Sequence, residues 1–299
     1  MIVGHEKIWQ YLLKSREQEK LSHAFLFSGE EQLGKRTLAF EFANYILKED
    51  ITKKQHPDFI FVEPEKKEIQ IPQIRECIWR ISLKPSVSFY KIAIIDQAHC
   101  LNQQAQNCLL KTLEEPKGNS LIFLISEQPE RLLPTILSRC QKLKFYPVPQ
   151  EKIRKYLKTQ NISDSQTQEI LDISGGRPGL AIDLATSVNR LKKQKALISD
   201  FVKAINSDLV VRFQYAESLT KEPQNLKETL DVLLRYFRQI LISDVAKISQ
   251  PKYSIENKLD STPAAKLKNI AKLIQQTNFL ISSTNVNPRL ALEILMLEF

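Results

Sequence analysis

The sequence predicts an α/β domain built on an open, mostly parallel sheet, followed by a chain that is helical to its end. Three observations carry this. Up to about residue 148, short apolar runs alternate with amphipathic helical stretches. From Pro149 onward the strand-like runs fade and helical periodicity takes over. Glycine is scarce, seven in 299 residues, and five of the seven fall in two segments. Gly29 and Gly34 lie in one, and Gly175, Gly176 and Gly179 in 174-SGGRPG-179. Glycine is required where backbone turns sharply or approaches a ligand closely, so both segments point to a structural demand.

Taken in order, 24-AFLF-27 is a buried strand bounded by Ser28 and Gly29. Leu38, Phe42 and Ile46, with Ala39, Ala43 and Leu47, then recur at helical spacing and predict a helix over about 34–48. The runs 91-KIAIID-96 and 121-LIFLIS-126 are two further strands. Between them, 102–116 is an amphipathic helix with Ala105, Cys108, Leu109, Thr112 and Leu113 on one face. Asn102 can cap its start and Pro116 marks its stop. A last strand, 142-KLKFYPV-148, closes the α/β region, expected to be covered by helices on both faces of the sheet. Residues 149–192 read as a small helical domain around the second glycine segment, and 193–299 as a second helical domain. The basic cluster 190-RLKKQK-195 is a solvated helix face or a linker, and marks the junction between them.

Composition is that of a soluble globular protein, 42% hydrophobic and 26% charged. No apolar run approaches the ~20 residues that span a bilayer, and the start MIVGHEKIWQ lacks a signal-peptide layout. A cytoplasmic protein without membrane contact is expected. The cysteines Cys77, Cys100, Cys108 and Cys140 form no C-x-x-C pair, which predicts reduced thiols packed in the core and no structural metal. The net charge of +9 suggests an anionic partner, nucleic acid among them, although it is spread along the chain.

The segment 29-GEEQLGKRT-37 fits the phosphate-loop pattern G-x-x-x-x-G-K-[ST] at Gly29, Gly34 and Lys35, but has Arg36 where a hydroxyl belongs. Strand, glycine loop and helix is the setting in which backbone N–H groups and a helix dipole face phosphate oxygens. Arg36 removes the hydroxyl that would ligate Mg²⁺ and places a cation there instead. Thr37 does not replace it, because one helical residue is a rotation of about 100°. The strand 92-IAIID-96 supplies the metal-ordering carboxylate at Asp96, but the next residue is Gln97, which cannot accept a proton from water. Efficient hydrolysis is therefore not expected. Two readings of the loop stay open: a silent ATP or ADP site without productive Mg²⁺ chemistry, or a tight strand-to-helix turn with Lys35 solvated. Further on, Ser138-Arg139-Cys140 follows the third strand. Arg139 reads either as a finger that reaches a neighbour's nucleotide or as an ordinary salt-bridge arginine.

With these residues in hand, the chain resembles the AAA+ clamp-loader subunits of bacterial DNA polymerase III, and among them the delta-prime type. The resemblance rests on 22-SHAFLFSG-29, 35-KRTLAFEFA-43, 56-HPDFIFVEPE-65, 84-KPSVSFYKIAIIDQAHCLN-102, 109-LLKTLEEP-116, 132-LLPTILSRC-140 and 285-NVNPRLALEILM-296, and so spans essentially the whole chain. It implies a RecA-like AAA+ domain, a helical lid and a helical collar that joins five subunits. It also implies that Arg139, within Ser138-Arg139-Cys140, acts in trans on the ATP of an adjacent ATPase subunit. The implied partners are gamma/tau ATPase and delta subunits, the sliding clamp and primed DNA. Ser126 falls loosely at the first sensor position. The second sensor arginine would fall nearest Pro178, with Arg177 one residue early. The four-cysteine zinc module of many members has no counterpart, since 46-ILKEDITKKQHPD-58 contains no cysteine. Arg36 and Gln97 together favour the non-hydrolysing type, with no ATPase or polymerase chemistry of its own. The rivals are a working gamma/tau-like ATPase and a DNA-binding scaffold outside any clamp loader.

Overall fold

A computed structural model describes residues 2–51, 56–65, 67–221, 223–246, 264–283 and 286–299. Part of the zinc-module comparison (residues 52–55) and residue 285 of the last similar segment lie outside the described residues. The chain divides into two compact units, one gathering the chain up to Ile153 together with Gly176–Gly179, the other comprising Arg154–Gly175 and Leu180–Phe299.

The first unit holds a five-stranded sheet in the order β2-β3-β4-β1-β5, with every neighbouring pair parallel. The strands are β1 (Ala24–Ser28), β2 (Phe59–Val62), β3 (Lys91–Ile95), β4 (Ser120–Ser126) and β5 (Gln141–Lys144). The helices around them are α1 (Glu6–Glu17), α2 (Lys35–Leu47), α3 (Ile71–Ser82), α4 (Gln103–Glu114) and the single turn α5 (Pro134–Leu137).

Strand alternation sorts the core into two layers. Ala24, Leu26, Ala93, Ile95, Ile122 and Leu124 face one side, where α3, α4 and α5 contribute Ile74, Leu109 and Ile136. Phe25, Phe27, Ile92, Ile94, Phe123 and Ile125 face the other, against Leu12 of α1 and Leu38, Phe42 and Ile46 of α2. β3 and β4 are buried throughout, as central strands of a parallel sheet must be.

Four elements of this unit have no counterpart in the periodicity reading: α1, β2, α3 and the single turn α5. β2 is four residues at a sheet edge, half of them only partly buried, and so carries too weak a pattern. The last strand is shorter than expected. It stops at Lys144, because Pro147 has no N–H to donate and the Val148 N–H bonds to the Gly176 carbonyl instead (2.7 Å). In α4, Asn102 caps the helix as expected, accepting from the Ala105 N–H at 2.8 Å. Its buried face includes Gln106, while Cys108 and Thr112 are only partly covered.

Among its described residues, the second unit holds helices joined by short turns, with no strand. It includes most of α6 (Gln150–Thr159), then α7 (Asp164–Ser174), the body of α8 (Pro178–Thr186), α9 (Val188–Ile205), α10 (Leu209–Thr220), α11 (Pro223–Ala246), α12 (Ala264–Ser283) and α13 (Pro288–Leu297). The largest core there is organised by α11, whose Leu226, Leu230, Leu233, Phe237 and Ile240 recur every three or four residues and meet Phe201, Ile270, Ile274 and Leu292. The cluster 190–195 is no linker. It lies inside the continuous helix α9, with Lys192 and Lys193 exposed, Lys195 partly covered, and Leu191 and Gln194 buried.

Asp172 on α7 is buried in this unit and accepts amide hydrogens from Gln168 (3.0 Å) and Gln239 (3.5 Å). Burial pushes its carboxyl up to about 6, against the Gln168 hydrogen bond and the charge of Arg154. A raised carboxyl binds its proton more tightly when folded, so its contribution to stability is present at low pH and falls as pH rises through about 4 to 6. Asp172→Asn is expected to leave stability unchanged near pH 4 and to raise it by about 1–3 kcal/mol at pH 8. Urea unfolding at the two pH values checks this.

Candidate functional site

β1 delivers the chain into the loop 29–34, and α2 leaves it. Gly29 has φ 145°, and a Cβ there would stand 2.6 Å from the Phe145 carbonyl oxygen, so β5 and the loop meet only because the side chain is missing. Gly34 is left-handed (φ 91°) at the start of α2, and its carbonyl accepts the Leu38 N–H at 2.9 Å. The second glycine segment explains itself at the same place. The Gly179 N–H bonds to the Gln32 carbonyl of the loop at 2.9 Å, and a Cβ on Gly179 would lie 2.8 Å from that oxygen. The two glycine-rich segments therefore touch each other, backbone against backbone.

The loop's polar groups are turned inward. Lys35 is 5% exposed, which corrects the expectation of a solvated lysine in the turn-only reading. Its Nζ donates to the carbonyls of Gly29 (2.8 Å) and Glu30 (2.5 Å), and burial lowers its pKa. Arg177 bonds Glu30 at 2.6 Å, and His5 donates from Nε2 to the Leu33 carbonyl at 2.8 Å. The loop's own carbonyls thus take up Lys35, and its Glu30 carboxylate takes up Arg177.

Arg36 lies where the sequence places a cation, but with partners the sequence did not reveal. Its Nη1 is 3.3 Å from Asp96 Oδ2 and 3.3 Å from Glu63 Oε2. The guanidinium also lies over the rings of Phe61 (4.6 Å) and Phe40 (5.5 Å). Asp96, just past β3, is buried and accepts the Gln97 N–H at 3.0 Å. Burial raises its carboxyl above the ordinary range, and the Gln97 N–H and the Arg36 charge only partly offset that. A protein cation thus rests on the carboxylate that a divalent metal would need. Gln97 is exposed and left-handed (φ 49°). Thr37 is exposed and lines a shallow groove with Arg36, Phe40, Glu41, Asn44 and Asp50. Ser126 at the end of β4 is buried. Its carbonyl accepts the Gly29 N–H (3.3 Å) and its Oγ the Gln128 N–H (3.2 Å).

Ser138-Arg139-Cys140 forms a separate corner of the same unit. Cys140 is buried, and burial pushes its thiol up to about 12, so it is a packing residue. Ser138 Oγ donates to the Thr135 carbonyl at 3.0 Å. Arg139 is about one-third exposed, paired with Glu114 at 2.7 Å, and bonded to the Thr135 carbonyl at 2.9 Å and Ser138 Oγ at 3.2 Å. Behind it the buried Gln106 ties α4 to the segment leading into α5. Its amide donates to the carbonyls of Leu101 and Arg131, and its oxygen accepts the Leu133 N–H at 2.8 Å. The phosphate loop with Asp96 forms one constellation and Arg139 with Glu114 another.

Glu30, Glu63, Glu114, Gln106 and His5 escaped the reading of single motifs. Glu114 did lie inside the 109–116 segment, at the end of the amphipathic helix that Asn102 caps.

Comparison with known proteins bears on the whole chain. Residues 4–149 match the family described as "DNA polymerase III, delta subunit". DNA polymerase III subunit delta' of Pseudomonas aeruginosa is 28% identical over 97% of this chain and 96% of its own length. The delta' subunit of Bacillus subtilis is 27% identical over 98% and 95%. A gamma subunit-related protein of Thermotoga maritima, 22% identical, shares the fold with a TM-score of 0.55 over 95% of this chain and 96% of its own. The family signature thus lies on residues 4–149, and likeness to DNA polymerase III delta' subunits runs along nearly all of the chain.

Proposed function

We propose that the chain is a non-hydrolysing clamp-loader subunit, which helps place a sliding clamp on primed DNA in the cytoplasm. It supplies Arg139 in trans to a neighbouring ATPase subunit. The observation that carries the first part is the pairing of Arg36 with both Asp96 and Glu63, because a guanidinium there competes with Mg²⁺ for both carboxylates. Gln97 adds that the residue after Asp96 is an amide, which cannot take a proton from water. Lys35, spent on loop carbonyls, favours the architectural reading of the loop over a nucleotide site.

Assembly is the remaining part of the proposal. Leu290, Ile294 and Leu297 form an exposed stripe on α13 at i, i+4, i+7 spacing, suited to a helix of a gamma/tau or delta subunit. In the first unit Trp79, Leu83, Val87 and Phe89 are exposed, Val87 and Phe89 at 73% and 70%, and give the sliding clamp an apolar surface. Lys142 and Lys144 on the exposed edge β5 can track DNA phosphates, a contact that weakens with salt.

The test is titration of the purified chain with ATP, with Mg²⁺ and with EDTA, alongside Arg36→Thr. Binding by the unaltered chain is expected to be weak and indifferent to Mg²⁺, with no turnover. Arg36→Thr is expected to gain Mg²⁺ dependence of about tenfold in affinity, ~1.4 kcal/mol. Turnover by the unaltered chain, abolished by Lys35→Ala, would establish the working-ATPase reading instead. Failure to co-purify with gamma/tau and delta subunits would favour the scaffold outside a clamp loader.

A further inference from the structure

We propose that Glu114 is a positioning residue for Arg139, a carboxylate that holds the guanidinium ready before the neighbouring nucleotide arrives. The inference rests on the trans-acting reading of Arg139 and extends it to a residue that reading does not include. Glu114 ends α4, and its Oε1 accepts from Arg139 Nη2 at 2.7 Å. Nη1 meanwhile donates to the Thr135 carbonyl at 2.9 Å and to Ser138 Oγ at 3.2 Å. These acceptors approach from two elements, the end of α4 and the α5 turn, so they fix both the position and the plane of the group. A guanidinium has five N–H donors. With Nη1 engaged twice and Nη2 once among the described residues, two donors remain for phosphate oxygens. The finger can therefore act on an anion without releasing its holders.

The pair also has a rigid base. Gln106, eight residues before Glu114 on the same helix, bonds the Arg131 carbonyl and the Leu133 N–H, so the helix that carries the carboxylate is tied to the segment leading to the arginine. Both partners are partly exposed, at 34% and 49% of their side chains, so the pair adds little to folding. Its value lies in ordering a long side chain that would otherwise sample many rotamers, and in placing charge where it develops during phosphoryl transfer.

The test uses the complete loader reconstituted with its ATPase subunits, clamp and primed DNA, with each variant first shown to enter the assembly in normal stoichiometry. Glu114→Gln is expected to lower the DNA-stimulated kcat for ATP by about 3–10-fold with KM unchanged, the pattern of a lost transition-state interaction. Glu114→Asp, which keeps the charge on a shorter arm, should fall between Glu114→Gln and the unaltered loader. Glu114→Gln should also add nothing to Arg139→Ala, because it acts only through that arginine. A Glu114→Gln loader as fast as the unaltered one, or faster, overturns the proposal, as does an effect that multiplies with that of Arg139→Ala. If Arg139→Ala itself leaves the rate unchanged, it is the trans-acting reading that fails.

Discussion

Replacing Arg139 by alanine is expected to lower the DNA-stimulated ATPase at the neighbouring site by about 10²-fold or more and to stop clamp loading, while the chain stays folded. Guanidinium groups supplied in trans offset the charge that builds on a transferring phosphoryl group, and such fingers rank among the largest single contributions to these reactions. The structural cost of the change is small. Arg139 is one-third exposed, and its pair with Glu114 is worth under about 1 kcal/mol of stability. Thermal unfolding should therefore be nearly unaltered while turnover collapses, and that contrast separates a chemical role from a packing one. Arg139→Lys should not restore the rate, because a point charge cannot hold Glu114, the Thr135 carbonyl and a phosphate in one plane. Normal clamp loading and normal ATPase with Arg139→Ala would end the assignment.

The largest effect on stability is expected at Asp58. Its fully buried carboxylate accepts the backbone N–H groups of Ser86 (2.7 Å), Val87 (2.9 Å) and Ser88 (2.9 Å), and lies 3.7 Å from the Nζ of Lys91, itself almost wholly buried. His56 supports the same turn, accepting the Asp58 N–H at Nδ1 and donating from Nε2 toward Ser88 Oγ. Asp58→Ala would strip acceptors from three N–H groups and leave the Lys91 ammonium buried without its counter-ion, which predicts a loss of about 3–5 kcal/mol. Urea denaturation of the full chain measures it. Burial opposes the charge of Asp58, but the three N–H donors and Lys91 outweigh it and hold the carboxyl below its usual range. A depressed carboxyl contributes stability above the unfolded value near 3.9 and loses it as pH falls further. The chain should therefore lose stability in acid through Asp58, the reverse of the slope expected from Asp172. The same turn carries the exposed Val87 and Phe89, so Asp58→Ala should also weaken clamp contact if that surface is used.

What the sequence determined by itself was the pattern imposed by periodicity and by backbone chemistry. Continuous apolar runs made β1, β3 and β4 legible, because strands buried on both faces need no alternation. Asn102 and Pro116 bounded α4, because capping and the missing N–H of proline are local effects. Arg36, Gln97 and Ser138-Arg139-Cys140 stood out because phosphate chemistry requires particular residue types at fixed spacing. The tertiary structure alone decided which groups those residues meet. Glu63 joins Arg36 and Asp96 only because β2 lies beside β3 in the sheet, an edge pairing that four half-buried residues do not announce. Gly179 needs to be glycine because Gln32, almost 150 positions earlier, brings its carbonyl within hydrogen-bond reach. Lys35 turns inward for a like reason, since a buried ammonium seeks the nearest carbonyls, and the loop's own backbone offers them. Local propensity is written into neighbouring residues, whereas charge pairing and steric fit depend on distances that arise only when remote segments meet.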